Sequence, residues 1–171
     1  MSGNKQIPKI VVLGLGNILF RDEGFGVHVI RALRSRYSFS PSVDIIDGGT
    51  AGISLSGFVS GVDLLIAVDC LASDASPGSL FIYENDELAS APGVRMSPHQ
   101  VGFLEMLDLL DLQGMKPLKV ILIGAVGCDL NSGLHLSPAL YSTVKLACDK
   151  IVELLEGAGV RAVLKEDVDN A

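Results

Sequence analysis

The stretch Asp63-Leu64-Leu65-Ile66-Ala67-Val68-Asp69 sets five consecutive apolar side chains between two carboxylates. An unbroken apolar run of this length fits the centre of a parallel sheet covered on both faces, because a strand with one wet face would alternate. Outward from it, further β-branched runs alternate with helix-period patterns, which predicts βαβ units. The spacing predicts strands over 9–14, 43–47, 79–83 and 119–126, and helices over 23–37, 53–59, 99–112 and 137–155. Asp22 stands where it can cap the first helix, on which Val27, Ile30 and Leu33 share one face. A polar loop spans 84–98, and the charged tail after Val163, ending in 166–171, is expected to fray. The predicted fold class is α/β, three-layer α/β/α, with a mainly parallel twisted sheet and helices on both faces. One domain accounts for residues 1–171.

Composition narrows the class. Hydrophobic residues make up 49% and charged residues 19%, the balance of a packed globular domain. Thirteen Lys and Arg against twenty Asp and Glu leave a net charge of −7. That field disfavours a nucleic-acid partner and an anionic membrane surface. The longest apolar runs, 64–68 and 120–126, are too short to span a bilayer, so no membrane insertion is expected. Near Lys5 and Lys9 there is no apolar segment ending in a small-residue cleavage site, which predicts a cytoplasmic protein. Cys70, Cys128 and Cys148 are odd in number and widely spaced, so they are read as reduced, semi-buried packing residues.

In open α/β sheets, ligands bind beyond the carboxyl ends of the strands. The first strand leads there into Gly14-Leu15-Gly16-Asn17-Ile18-Leu19, followed by Asp22-Glu23-Gly24-Phe25-Gly26; the central strand leads into Asp69; Ser97-Pro98-His99-Gln100 opens a helix. Two carboxylates and an imidazole from three segments suit a divalent metal with an open coordination position. Each also has an ordinary structural role. Glu23 suits a helix start, Asp69 a turn after a strand, and His99 an exposed first-turn position. His28 and His135 are read as structural or solvated. Neither an HExxH helix nor a GxSxG elbow is present, which removes zincin-type proteases and the commonest serine hydrolases on such a sheet. Asp47 before Gly48 and Gly49 raises a dinucleotide site, but Leu19 stands where the third glycine of GxGxxG is needed.

The opening motif, together with Asp47-Gly48-Gly49-Thr50-Ala51-Gly52, Ala67-Val68-Asp69 and Ser97-Pro98-His99-Gln100, resembles in order the motifs of the [NiFe]-hydrogenase maturation proteases, most closely the uptake-hydrogenase type. The resemblance runs from about Ile10 to Leu155. It implies a phosphorylase/hydrolase-like α/β fold and an endopeptidase, of the kind called aspartyl-type, that removes the carboxy-terminal extension of the hydrogenase large-subunit precursor. It places the metal-contacting residues on Glu23, Asp69 and His99, with Asp69 and Glu23 catalytic and Asp47 as a secondary site acid. It also implies that nickel arrives with the substrate rather than residing in the free enzyme, serving as a recognition handle and as a candidate catalyst.

The glycine-rich stretches, through Gly14, Gly16, Asn17, Gly48 and Gly49, would let an extended peptide approach the backbone. Substrate readers are expected in 84–98 and 127–138, and the protein is expected to act as a monomer. The alternative reading is a non-catalytic nickel-binding assembly chaperone. Peptidyl-tRNA hydrolases and spore germination proteases share a similar opening, but the acidic charge disfavours the first.

Overall fold

The structure is a computed structural model and describes residues 7–90, 93–95 and 97–165. In chain order the elements are β1 (Ile10–Leu15), α1 (Phe25–Arg36), β2 (Tyr37–Ser40), β3 (Asp44–Gly49), α2 (Ser56–Val59) and β4 (Leu64–Ser73). There follow β5 (Leu80–Glu84), β6 (Val94–Arg95), α3 (Pro98–Leu112), β7 (Lys119–Val126), α4 (Pro138–Gly157) and β8 (Arg161–Leu164). The main sheet has the order β3-β1-β4-β7-β5. Its first four strands are parallel, β5 runs antiparallel to β7 at the edge, and β6 adds a short antiparallel pairing to the end of β4. The predicted α/β class and mainly parallel sheet are therefore what the chain adopts.

Period-2 alternation divides the core between the two faces. Ile10, Val12, Ile66, Val68, Ile121 and Ile123 face α1 and α4. Val11, Leu13, Leu65, Ala67, Val120 and Leu122 face the layer of α2 and α3, where Phe103, Met106, Leu107 and Leu110 pack. This is why Asp63–Asp69 reads as continuously apolar: both faces of β4 are covered. From β1 the chain crosses to β3 on one side, and from β3 it returns to β4 on the other. The crevice beyond the carboxyl ends of β1 and β4 is thus the topological switch point.

Five expectations change. β4 continues four residues past Asp69, so this carboxylate sits within a strand rather than at its end. The predicted first helix starts as a 3-10 turn over Arg21–Gly24, and the α-helix itself begins at Phe25. Asp22 makes no capping hydrogen bond; it is buried and bonded elsewhere, as described below. Leu164 and Lys165, the first residues after Val163, are held in place, because β8 pairs with β2 and the Lys165 N–H donates to the Arg36 carbonyl at 2.8 Å. Residues 166–171 lie outside the described residues. The loop predicted over 84–98 contains a 3-10 turn, Asn85–Ser90, and β6. Among the described residues no helix is long and apolar enough to cross a membrane.

Candidate active site

Asp69 lies one residue past the last β1–β4 pair, Gly14 with Val68, while β4 stays paired to β7 through Leu71 and Val126. The parting of β1 therefore opens a gap beside its carboxylate. Alternation turns Asp69 to the α3 face, and there Gln100 meets it. The Gln100 side-chain amide donates to Asp69 Oδ2 at 2.9 Å and to the Cys70 carbonyl at 2.7 Å, and the Cys70 N–H donates to Asp69 Oδ1 at 2.8 Å. Gln100 is itself fixed by a capping box at the start of α3. The Ser97 N–H donates to its Oε1 at 2.7 Å and its own N–H donates to Ser97 Oγ at 3.3 Å. One glutamine thus closes the helix end and aims the aspartate.

Burial raises the Asp69 carboxyl to about 7, helped by the charge of Glu23 and opposed by the bonds from Cys70 and Gln100. A carboxyl poised there can hold or release a proton near neutral pH. Burial likewise pushes the adjacent Cys70 thiol up, keeping it neutral.

Glu23 comes from the 3-10 turn before α1, and that turn is pressed against the strand ends. Gly16 has φ +121°, and a Cβ there would collide with the Glu23 carbonyl; a Cβ on Gly26 would collide with the Val68 and Leu15 carbonyls. The glycines of the opening motif thus let the Glu23 turn sit directly over the sheet. The space at Gly14 and Gly48 is also filled by the protein's own atoms, so only Asn17 and Gly49 of the expected peptide-contact residues face open space.

His99, in the first turn of α3, completes the set. Glu23, Asp69 and His99 line one cleft of about 180 Å³, together with Cys70, Arg95, Ser97, Gly127, Cys128 and Leu130. His99 also lines a second cleft of about 370 Å³, walled by Leu15, Asn17, Gly49, Thr50, Leu55 and Phe103. Among the described residues no three His, Cys, Asp or Glu side chains are grouped closely enough to hold an ion by themselves. Asp47 lies outside both clefts; it is exposed and faces Arg31 of α1 at 3.7 Å. A larger cavity of about 450 Å³ between α1 and α4, lined by His28 and His135, shares no residue with the acidic cleft.

Sequence reasoning missed three features here. Gln100 was visible through the Ser97-x-x-Gln100 capping-box spacing. Cys128 is exposed and in the cleft wall, whereas Cys70 and Cys148 are buried. Asp22 is a strut: one carboxylate oxygen accepts the Cys128 and Asp129 N–H groups, each at 3.0 Å, and the other accepts the Ser137 N–H at 2.7 Å. Burial alone would raise Asp22, but the Cys128, Ser137 and Asp129 bonds outweigh it and hold the carboxyl below its ordinary value. The strut ties the cleft wall over 127–138 to the turn that carries Glu23.

Comparison with known proteins agrees with this architecture. The family described as hydrogenase maturation protease matches residues 27–157. The hydrogenase 2 maturation protease of Escherichia coli is 35% identical over 161 residues, covering 94% of this chain and 98% of that one. The hydrogenase expression/formation protein HupD of Rhizobium leguminosarum is 37% identical over 180 residues, covering 98% and 89%. The solved structure of the hydrogenase maturating endopeptidase HybD from Escherichia coli superposes with a TM-score of 0.87 at 35% identity, covering 93% of this chain and 99% of that one. The chain belongs to the hydrogenase maturation protease family and is a peptidase.

Proposed function

We propose that the protein cuts the carboxy-terminal extension from a [NiFe]-hydrogenase large-subunit precursor after nickel insertion, reading the nickel held by the substrate's own cysteines through Glu23, Asp69 and His99. The observation that carries this is that those three side chains, from the turn before α1, from β4 and from α3, line one cleft at the switch point. A half-assembled donor set suits an ion that brings part of its own shell, because three outside ligands leave positions for thiolates and for the scissile carbonyl or a water. Docking then tests the metal before an irreversible cut. The three cysteines carry no disulfide, and a reducing cytoplasm would also keep the substrate's thiolates intact.

Water attack on the scissile carbonyl needs a base, and the departing amine needs a proton. Asp69, with its carboxyl near 7 and its orientation fixed by Gln100, can take the proton from water and return it to the amine as the C–N bond breaks. Glu23 beside it keeps the site negative and is the second acid able to serve as base. Nickel, as part of the substrate, polarises the carbonyl or acidifies the water.

Glu23→Gln, Asp69→Asn and His99→Ala should each stay folded and lower processing of nickel-loaded precursor by about 100-fold or more. Mass measurement of the precursor over time checks this, and normal cleavage by all three variants rejects the assignment. Stoichiometric nickel binding without cleavage by the unaltered protein would favour a nickel-binding assembly chaperone instead.

A further inference from the structure

Two loops beside the acidic cleft carry apolar side chains that the core does not use. Leu19 is 58% exposed, Leu130 49% and Leu134 59%, and Phe20 is also exposed. Single exposed leucines are ordinary, but these lie on two loops that backbone hydrogen bonds lace together. Phe20 and Gly133 form a parallel bridge. The Gly133 N–H donates to the Leu19 carbonyl at 2.8 Å, and the Arg21 N–H donates to the Gly133 carbonyl at 2.9 Å. Arg21 and Asp129 form an ion pair at 2.7 Å, and the Asp22 strut holds the base of the second loop. Arg21 and Asp129 are thus paired with each other, and the four apolar side chains stand exposed beside the polar Asn131, Ser132 and His135 of the second loop.

We propose that Leu19, Phe20, Leu130 and Leu134 form a preformed lip that docks an apolar surface on the folded body of the precursor. The proposal rests on the reading that this precursor is the substrate. The occupant follows from continuity: Leu130 belongs both to the lip and to the wall of the cleft that holds Glu23 and Asp69. A cleft of about 180 Å³ holds only a short piece of chain, so a protein threading its cut site there must lie across the neighbouring surface. Because the loops are tied down, docking orders little new backbone, which favours affinity.

The test uses Leu19→Ser and Leu134→Ser, singly and together, since neither residue lines the acidic cleft or its neighbour. KM and kcat are measured on nickel-loaded precursor, and the Kd for the same precursor is measured with Asp69→Asn protein carrying the same changes. The double variant should raise KM and Kd about tenfold or more, leave kcat within about twofold, and keep the thermal midpoint of the unaltered protein. An unchanged Kd, or a fall in kcat at constant KM, overturns the lip. Sedimentation would expose a different occupant: lip-dependent dimers with an unchanged Kd for precursor also overturn it. If the unaltered protein leaves the precursor uncut, the functional reading fails, and the Kd comparison still decides the lip.

Discussion

Asp69 is buried to 1% exposure, yet the proposed chemistry needs a carboxylate there. The fold reconciles these by supplying a donor to each oxygen, Cys70 N–H to one and Gln100 to the other, while burial and Glu23 pull the opposite way. Since the bond from Gln100 favours the charged form, its loss must raise the carboxyl further. In the precursor-free protein a pH titration of the Asp69 carboxyl, followed by its infrared band, should therefore show a limb at about 7. In Gln100→Leu the same limb should move to higher pH, with kcat down about 10- to 100-fold. A limb that stays in place would show that Gln100 acts only as a cap. Half of this site is legible in the sequence. A carboxylate behind five apolar residues is costly enough to demand an explanation, and the Ser97-x-x-Gln100 spacing announces a cap. That the capping glutamine also reaches Asp69 could not be read, because it depends on the angle at which α3 crosses β4.

At the scale of elements, the site is a strand that outruns its neighbour β1, a tight turn and a wall held in register. Asp22 braces the wall over 127–138 by accepting three backbone N–H groups from it. Because the Asp22 carboxyl is lower in the fold than its ordinary 3.8, its stabilisation is complete above that value and is lost as pH falls through the lowered one. Asp22→Asn places an amide N–H against a backbone N–H. It should cost about 2–3 kcal/mol at pH 7, shrinking toward zero in strong acid; urea unfolding at several pH values measures it. Gly26→Ala would drive a methyl into the Val68 and Leu15 carbonyls and should lower stability by about 3 kcal/mol or more, read as a fall in thermal midpoint.

Period and composition placed every core strand to within a few residues, because burial on two faces leaves an unmistakable apolar run. They failed on β2 and β8, whose four-residue strands are half exposed and whose only cue is the Tyr37-Ser38-Phe39 alternation. They failed also on Asp22, where a buried strut and a helix cap look alike in one dimension.

For the whole molecule, the sheet's topology performs the assembly. Strand order puts the ends of β1 and β4 at the switch point, and the turn before α1 and the first turn of α3 bring Glu23 and His99 to the cleft that Asp69 lines. The long-range meeting of three segments was legible only through the ordered motifs, since no local pattern says which loops converge. The acidic total proved less telling than three donors in one crevice. On the proposed function, this crevice waits for a metal carried by another protein. The direct measurement is the mass of the large-subunit precursor after incubation with the protein, run side by side on nickel-loaded and nickel-free substrate. The account predicts loss of the carboxy-terminal peptide from the nickel-loaded precursor and an intact nickel-free one; equal cleavage of both would contradict it.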